Sequence, residues 1–328
     1  MKFAVDPWDP SYGTANDLDP TDTSKAQVDL DIEVPAGQWS PRTPAAAPAR
    51  HTQRIPRGSG GVPRIVFVDG VRRVEAHVWI DAGDGMVHQG ICASYAAGAV
   101  RCDGTAVCGP AIVRRGLFTA YGAAETIPTW AGDFGPRRAP SASPDGLTLA
   151  LQEQMGEAEL AAAEAACTSG DVDLVVLDGP LRGRQHLTGA VGYVKTHHVT
   201  YLPPELNALV ARLAPGERSP LFVLGTTWSR ISWYFRLPGA GGSPWSGIVR
   251  GECSAAMPVA RAADVADMAT AGLPRFASAP HKEGRAPQNL YPIAGLERQL
   301  RHRLGDPHVL YRALRVAAAR PISPGSSC

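Results

Sequence analysis

The sequence predicts an α/β protein: a mixed β-sheet flanked by helices, preceded by a flexible N-terminal arm. Three observations carry that prediction. Two apolar runs, Ile65–Val68 and Leu174–Leu177, read as strands buried on both faces, and each stops on Asp-Gly. Between Val74 and Val113, short alternating segments are separated by Gly-containing turns, the period of antiparallel strands covered on one face. Ala- and Glu-rich segments lie between and after the strands, which places helices on sheet faces and argues against an all-β barrel.

Composition limits the alternatives. Hydrophobic residues are 44% of the 328 and charged residues 19%, enough apolar surface for an ordinary core. Lys+Arg total 32 against 31 Asp+Glu, so no global basic excess marks a nucleic-acid binder, and any basic groove has to be local. The six cysteines form no C-x-x-C pair, which predicts free thiols in a reducing compartment. MKFAVDPWDP lacks a charged region followed by an apolar run, and no window of about 18 apolar residues exists. Neither a signal peptide nor a membrane span is expected, and the expected location is cytoplasmic.

Residues 1–61 are expected to form the arm, partly disordered because Asp, Pro, Ala, Thr and Ser dominate it, with one strand at Gln27–Val34 docking on the sheet. Residues 62–320 are expected to be one folded domain and 321–328 a loose tail. Within the domain, Ile65–Val68 ends on Asp69-Gly70, and a meander follows through Val74–Ile80, Met86–Val100 and Ala106–Val113. Tyr121–Pro144 has no periodicity and reads as a loop. Ser143-Pro144-Asp145 can cap the helix Leu147–Cys167, whose Ala, Glu and Gln favour helix. Leu174–Leu177 delivers Asp178, and the short strand Ala190–Val194 delivers Lys195. Pro204–Leu213, Val259–Gly272, Ile293–Leu304 and Pro307–Ala319 read as helices, Leu221–Gly225 as a strand, and Ser232–Leu237 with Gly247–Glu252 as a hairpin.

Asp69 and Asp178 share one context, four apolar residues and then Asp-Gly. Singly, that string is an ordinary strand-to-turn signal. Twice, with a Glu-bearing helix between the two in the order of the chain and Lys195 after the second, it points to a site. Two-metal nucleases of the ribonuclease H class set carboxylates on two strands and a Glu on a helix, because hard divalent cations require clustered oxygen ligands. The helix offers Glu153, Glu157, Glu159 and Glu164. At about 100° per residue, Glu159 shares a face with Met155, Ala162 and Ala166 and points to the sheet, so it is the expected ligand, with Glu157 second.

IVFVDG, the Glu-bearing helix, LVVLDGPL, GYVK and a late YP before a helix together resemble the NurA family, nucleases that partner HerA-type hexameric DNA translocases. The resemblance spans Arg64 to about Leu304, with LDGPL standing where the family has an LDGSL-like string. It implies a ribonuclease H-like fold for residues 62–320 and Mn²⁺- or Mg²⁺-dependent cleavage of DNA in end resection and double-strand break repair. It also implies a homodimer that meets a HerA-type hexameric ATPase.

Carried over by position, Asp69, Glu159 and Asp178 are the expected metal ligands, Lys195 contacts a phosphate, and Tyr291 is the YP tyrosine of the active site. His197 and His198 follow Lys195 and face opposite ways on an extended chain, so they do not readily share one ion. The sequence departs from the family after Tyr291-Pro292, where a His is usual and Glu297, Arg298 and Gln299 stand instead, with His302 beyond. Glu297 is there as a further carboxylate. Arg230, Arg236, Arg250, Lys282, Arg285, Arg298, Arg301 and Arg303, with Trp228, Trp233, Tyr234 and Trp245, offer a groove for a nucleic-acid backbone and its bases. Two rivals stand beside the nuclease. A sugar-kinase or actin-like ATPase also opens on strand-Asp-Gly, but VDGVRRVEA lacks its glycines. A catalytically inactive assembly factor for a DNA translocase accommodates the missing His.

Overall fold

A computed structural model describes residues 26–44, 63–81, 85–168, 172–187, 189–197, 199–239 and 241–319. Among them eleven strands form one mixed sheet: β1 (Gln27–Asp29), β2 (Ile65–Asp81), β3 (Val87–Asp103), β4 (Thr105–Cys108), β5 (Ile112–Thr119), β6 (Gly135–Arg138), β7 (Leu174–Asp178), β8 (Ala190–Val194), β9 (Phe222–Gly225), β10 (Ser229–Arg236) and β11 (Ile248–Ser254). Their order is β1-β9-β10-β11-β8-β7-β2-β3-β5-β6, and β4 pairs with β3 beside that path. The helices are α1 (Pro144–Thr168), α2 (Pro204–Val210), α3 (Val259–Gly272), α4 (Tyr291–Arg303) and α5 (Pro307–Ala318). None of the described helices is long and apolar enough to cross a membrane. The described residues form two compact units, those within 26–68, 100–109 and 163–295 in the first and those within 69–99, 110–162 and 296–319 in the second.

The first unit contains the parallel strands. β7 pairs with the start of β2, Ile65–Val68 opposite Leu174–Leu177, and with β8, Val175–Asp178 opposite Ala190–Tyr193. Val66, Phe67, Val175 and Val176 are buried, as continuous apolar runs predict for strands covered on both faces. Helix α3 packs against β7, β10 and β11. Leu206 and Val210 of α2 join Phe222, Leu224, Tyr234 and Ile248 in a second apolar layer. Beyond β8 the pairing is antiparallel, β11 to β10 to β9.

The arm docks through β1, which pairs antiparallel with β9 as an edge strand over part of the expected Gln27–Val34. Glu33 anchors it further, accepting from Arg218 Nη1 at 3.0 Å and Nη2 at 2.9 Å. Residues 30–44 of the arm are ordered as well, with a short 3-10 helix at Ala36–Gln38 and Trp39 buried; the disorder expected for residues 1–25 and 45–61, and the loose tail at 321–328, lie outside the described residues.

Two sequence-based expectations about the second unit are corrected. The sequence reads Asp69-Gly70 as a turn, yet β2 runs through it to Asp81. Glycine serves space there: a Cβ on Gly70 would fall 2.9 Å from Met155 Cγ and closer still to Glu159 Oε1. The sequence also reads residues 121–144 as loop, yet β6 lies there, parallel to β5 from Gly116↔Gly135 to Thr119↔Arg138. Gly-Pro-Arg-Arg has no strand periodicity, and its Pro is tolerated because β6 is an edge strand.

Helix α1 begins at the predicted cap, with Ser143 Oγ accepting from Gly146 N at 3.1 Å. Its Leu147, Leu151, Met155 and Ala158 cover Ile91, Tyr95 and Phe118. Each of the larger aliphatic side chains so buried contributes about 1.5–3 kcal/mol.

Candidate active site

β7 ends on Asp178, and Gly179, at φ 102°, turns the chain out of the sheet. Lys195, the residue after β8, donates from Nζ to Asp178 Oδ2 at 2.6 Å and to Asn289 Oδ1 at 3.1 Å. Its side chain is 8% exposed and that of Asp178 15%, so the ion pair is largely out of solvent. The other carboxylate oxygen, Asp178 Oδ1, is buried and has no hydrogen-bond partner among the described residues. Leaving such an acceptor unmet costs about 1–3 kcal/mol, more when it is charged. The predicted acid and base at neighbouring strand ends are thus in direct contact.

The sequence reading missed Asn289. It stands two residues before Tyr291 but 94 from Lys195, and no local pattern marks it. The preceding carbonyl, Gln288 O, accepts from Tyr193 Oη at 2.7 Å. Burial pushes the Tyr193 phenol well above its usual pKa, and the charge of Asp178 adds to that, so Tyr193 remains a neutral donor.

Helix α1 buries Glu159, at 4% exposure, and leaves Glu153, Glu157 and Glu164 exposed. The Glu159 carboxylate lies over Gly70, the residue after Asp69. Asp69 is itself buried, and its Oδ1 accepts from Gly70 N at 2.7 Å. Tyr291, in the first turn of α4, is partly exposed. Its hydroxyl accepts from Ala279 N at 3.1 Å, and Lys282 Nζ lies 6.0 Å from the ring centre.

Other candidates have structural roles. Arg230 and Arg250 are buried and converge on Glu252, at 3.0 Å from Nε and 2.8 Å from Nη2. Trp233 and Tyr234 are core residues. Arg236 donates to the carbonyls of Ala211, Leu213, Pro244 and Ser246, tying α2 to the loop before β11. The expected groove loses these members: Trp233 and Tyr234 are core residues of the β10–β11 hairpin, Arg230 and Arg250 pair with buried Glu252, and Arg236 is taken up by backbone carbonyls. His197 Nε2 lies 3.0 Å from Ile248 O, with its ring against Tyr234 and Trp245. His198 lies outside the described residues. Glu297 pairs with Arg301 one helical turn on, at 2.8 Å, an ordinary i,i+4 pair.

The donor set suits a hard divalent cation in kind: carboxylate oxygens, one of them buried and unpartnered at Asp178. Among the described residues, no group of three or more His, Cys, Asp or Glu is arranged to hold a metal ion. The ligand chemistry therefore fits, while a closed cage is not preformed.

A family model described as the NurA domain matches residues 141–298, from the cap of α1 into α4. The matched stretch contains Glu159, Asp178, Lys195, Asn289 and Tyr291; Asp69 precedes it. No curated protein matches the chain significantly.

Proposed function

Because the chain is a NurA family protein, whose domain supports a nuclease-related role, we propose that it is a metal-dependent deoxyribonuclease. The observation that carries the reading is the state of Asp178. It lies at a strand end, has Lys195 on one oxygen, and keeps the other oxygen buried and unpartnered. Structural carboxylates are ordinarily saturated with donors, and a ligand-binding carboxylate keeps a lone pair in reserve.

In this reading Asp69, Glu159 and Asp178 hold Mn²⁺ or Mg²⁺, which when bound supplies Lewis acidity for phosphodiester hydrolysis. Lys195 fixes the orientation of Asp178 and brings a compact positive charge to a neighbouring phosphate. Tyr291, partly exposed at the start of α4, orients the DNA strand. A ribonuclease H-like core, a homodimer and cytoplasmic work with a HerA-type hexameric ATPase in end resection and double-strand break repair complete the proposal.

The second reading, a catalytically inactive assembly factor for a DNA translocase, is favoured by one observation: no three-ligand cage is preformed among the described residues. Purified full-length protein and its Asp178→Asn variant, incubated with linear DNA and Mn²⁺, separate the two. Mn²⁺ affinity measured calorimetrically without DNA serves as an independent readout. The nuclease reading expects cleavage by the wild type, its loss in the variant, and weaker Mn²⁺ binding. Equal cleavage by both proteins, or none by either, removes it.

A further inference from the structure

Asn289 is fully buried, yet only half of its amide is engaged. Oδ1 accepts from Lys195 Nζ at 3.1 Å, while Nδ2 has no hydrogen-bond partner among the described residues. Turning the amide over would not help, because the NH₂ group would then face the ammonium. An unmet buried donor costs about 1–3 kcal/mol, and an apolar side chain of the same shape would avoid that cost. A residue retained only to fill space has no reason to be an asparagine here.

Its surroundings hold the amide where the ammonium needs it. Tyr193 stands opposite Asp178 in the β7–β8 register, and its hydroxyl grips the Gln288 carbonyl at 2.7 Å. Asn289 N donates to Arg285 O at 2.9 Å. Lys195 lies two residues beyond Tyr193, so both side chains leave the same face of the chain. Only four of the 32 Lys+Arg residues are lysines, and this one is buried. A compact ammonium fits between a carboxylate and an amide oxygen, where a planar guanidinium fork would not.

We propose that Asn289 is a positioning residue: it acts through Lys195, holding the ammonium on Asp178 Oδ2 so that Oδ1 stays available to a ligand. The role in cleavage rests on the nuclease reading above; the clamp on Lys195 does not.

The test uses the full-length protein with Asn289→Leu, which removes the acceptor at similar volume, and Asn289→Asp, which keeps an acceptor. Lysine acylation by an N-hydroxysuccinimide ester is quantified by mass spectrometry, with exposed Lys282 as internal reference, and Mn²⁺-dependent DNA cleavage is resolved into kcat and KM. In Asn289→Leu, acylation of Lys195 is expected to rise towards that of Lys282. Its kcat is expected to fall about 10–100-fold, as for other groups that orient a ligand residue. KM should stay within about threefold, since Lys195 keeps its charge and can still reach a phosphate. Asn289→Asp should restore the protection of Lys195 and most of kcat. If Asn289→Leu folds, keeps Lys195 protected and cleaves at the wild-type rate, the proposal is overturned. Should that variant not fold, Asn289→Ser is read against the same two outcomes. If the wild type cuts no DNA, only the nuclease reading fails, and acylation still decides whether Asn289 fixes Lys195.

Discussion

Glu252 and Asp178 flank the same strand, β8, and are treated in opposite ways. Glu252 pairs in register with Gly192 and Asp178 with Tyr193, so the two carboxylates leave opposite faces of the sheet. Glu252 is fully buried and saturated: Arg230 and Arg250 hold Oε1, and Leu181 N donates to Oε2 at 3.2 Å. Burial disfavours the Arg250 charge, but Glu252 together with Tyr234 and Tyr201 more than compensates and raises its pKa. Asp178 has one lysine and one unmet oxygen. A carboxylate with donors on both oxygens fixes architecture, here the turn that carries the chain from Asp178 to Leu181. Asp178, on the opposite face, is not held in that way.

The comparison breaks most visibly at Glu252. Glu252→Gln leaves two buried guanidinium groups facing a neutral amide, which should lower the unfolding free energy by about 3–5 kcal/mol in urea titration. A loss under about 1 kcal/mol would mean that the triad is not what holds this face. Asp178→Asn should behave the other way. Because Lys195 retains Asn289 and an amide oxygen, stability should fall by only about 1–2 kcal/mol. DNA cleavage with Mn²⁺ should drop by about a hundredfold or more, the scale of removing one group that stabilises developing charge. If the two variants lost stability equally, the distinction between a structural and a reserved carboxylate would have no content.

What the sequence made legible follows the range of the signal. The buried strands at Ile65–Val68 and Leu174–Leu177 and the buried position of Glu159 on α1 are written in local periodicity, and the structure has all of them. Asp69-Gly70 was misread because the same dipeptide serves a turn and a close approach, and only the presence of Glu159 above it separates the two. The arginines around Glu252 were misread as a groove because a buried Arg-Glu-Arg triad and a phosphate track have the same composition. Asn289 was illegible, since its meaning lies in contact with a lysine 94 residues away.

Gly70→Ala sharpens the comparison from the second unit, where Glu159 is buried with its carboxylate over Gly70. The new methyl group would press on Met155 Cγ and the Glu159 carboxylate, and overpacking of that kind costs about 1–3 kcal/mol. If Glu159 belongs with Asp178, activity should fall by more than the fraction unfolded explains, because the carboxylate has been displaced. Full activity in the folded fraction would place Glu159 with Glu252 as architecture.

The smallest effect is expected at Glu33, a saturated carboxylate like Glu252 but less completely buried. Burial tends to raise its pKa, yet the hydrogen bond and charge of Arg218, the Leu221 N–H and Arg42 outweigh that and hold it below the ordinary 4.5. A carboxyl group depressed by folding adds stability wherever the unfolded chain is also ionised, here above about pH 4.5. As pH falls, the unfolded chain takes up the proton first, and the contribution drains away until the folded pKa is passed. Glu33→Gln has no such proton. The gap in urea midpoint between wild type and variant should therefore be widest near neutral pH and narrow below about pH 4.5. A gap that stays constant down to about pH 3 would mean that Glu33 anchors the arm through packing and neutral hydrogen bonds, and that its charge contributes nothing.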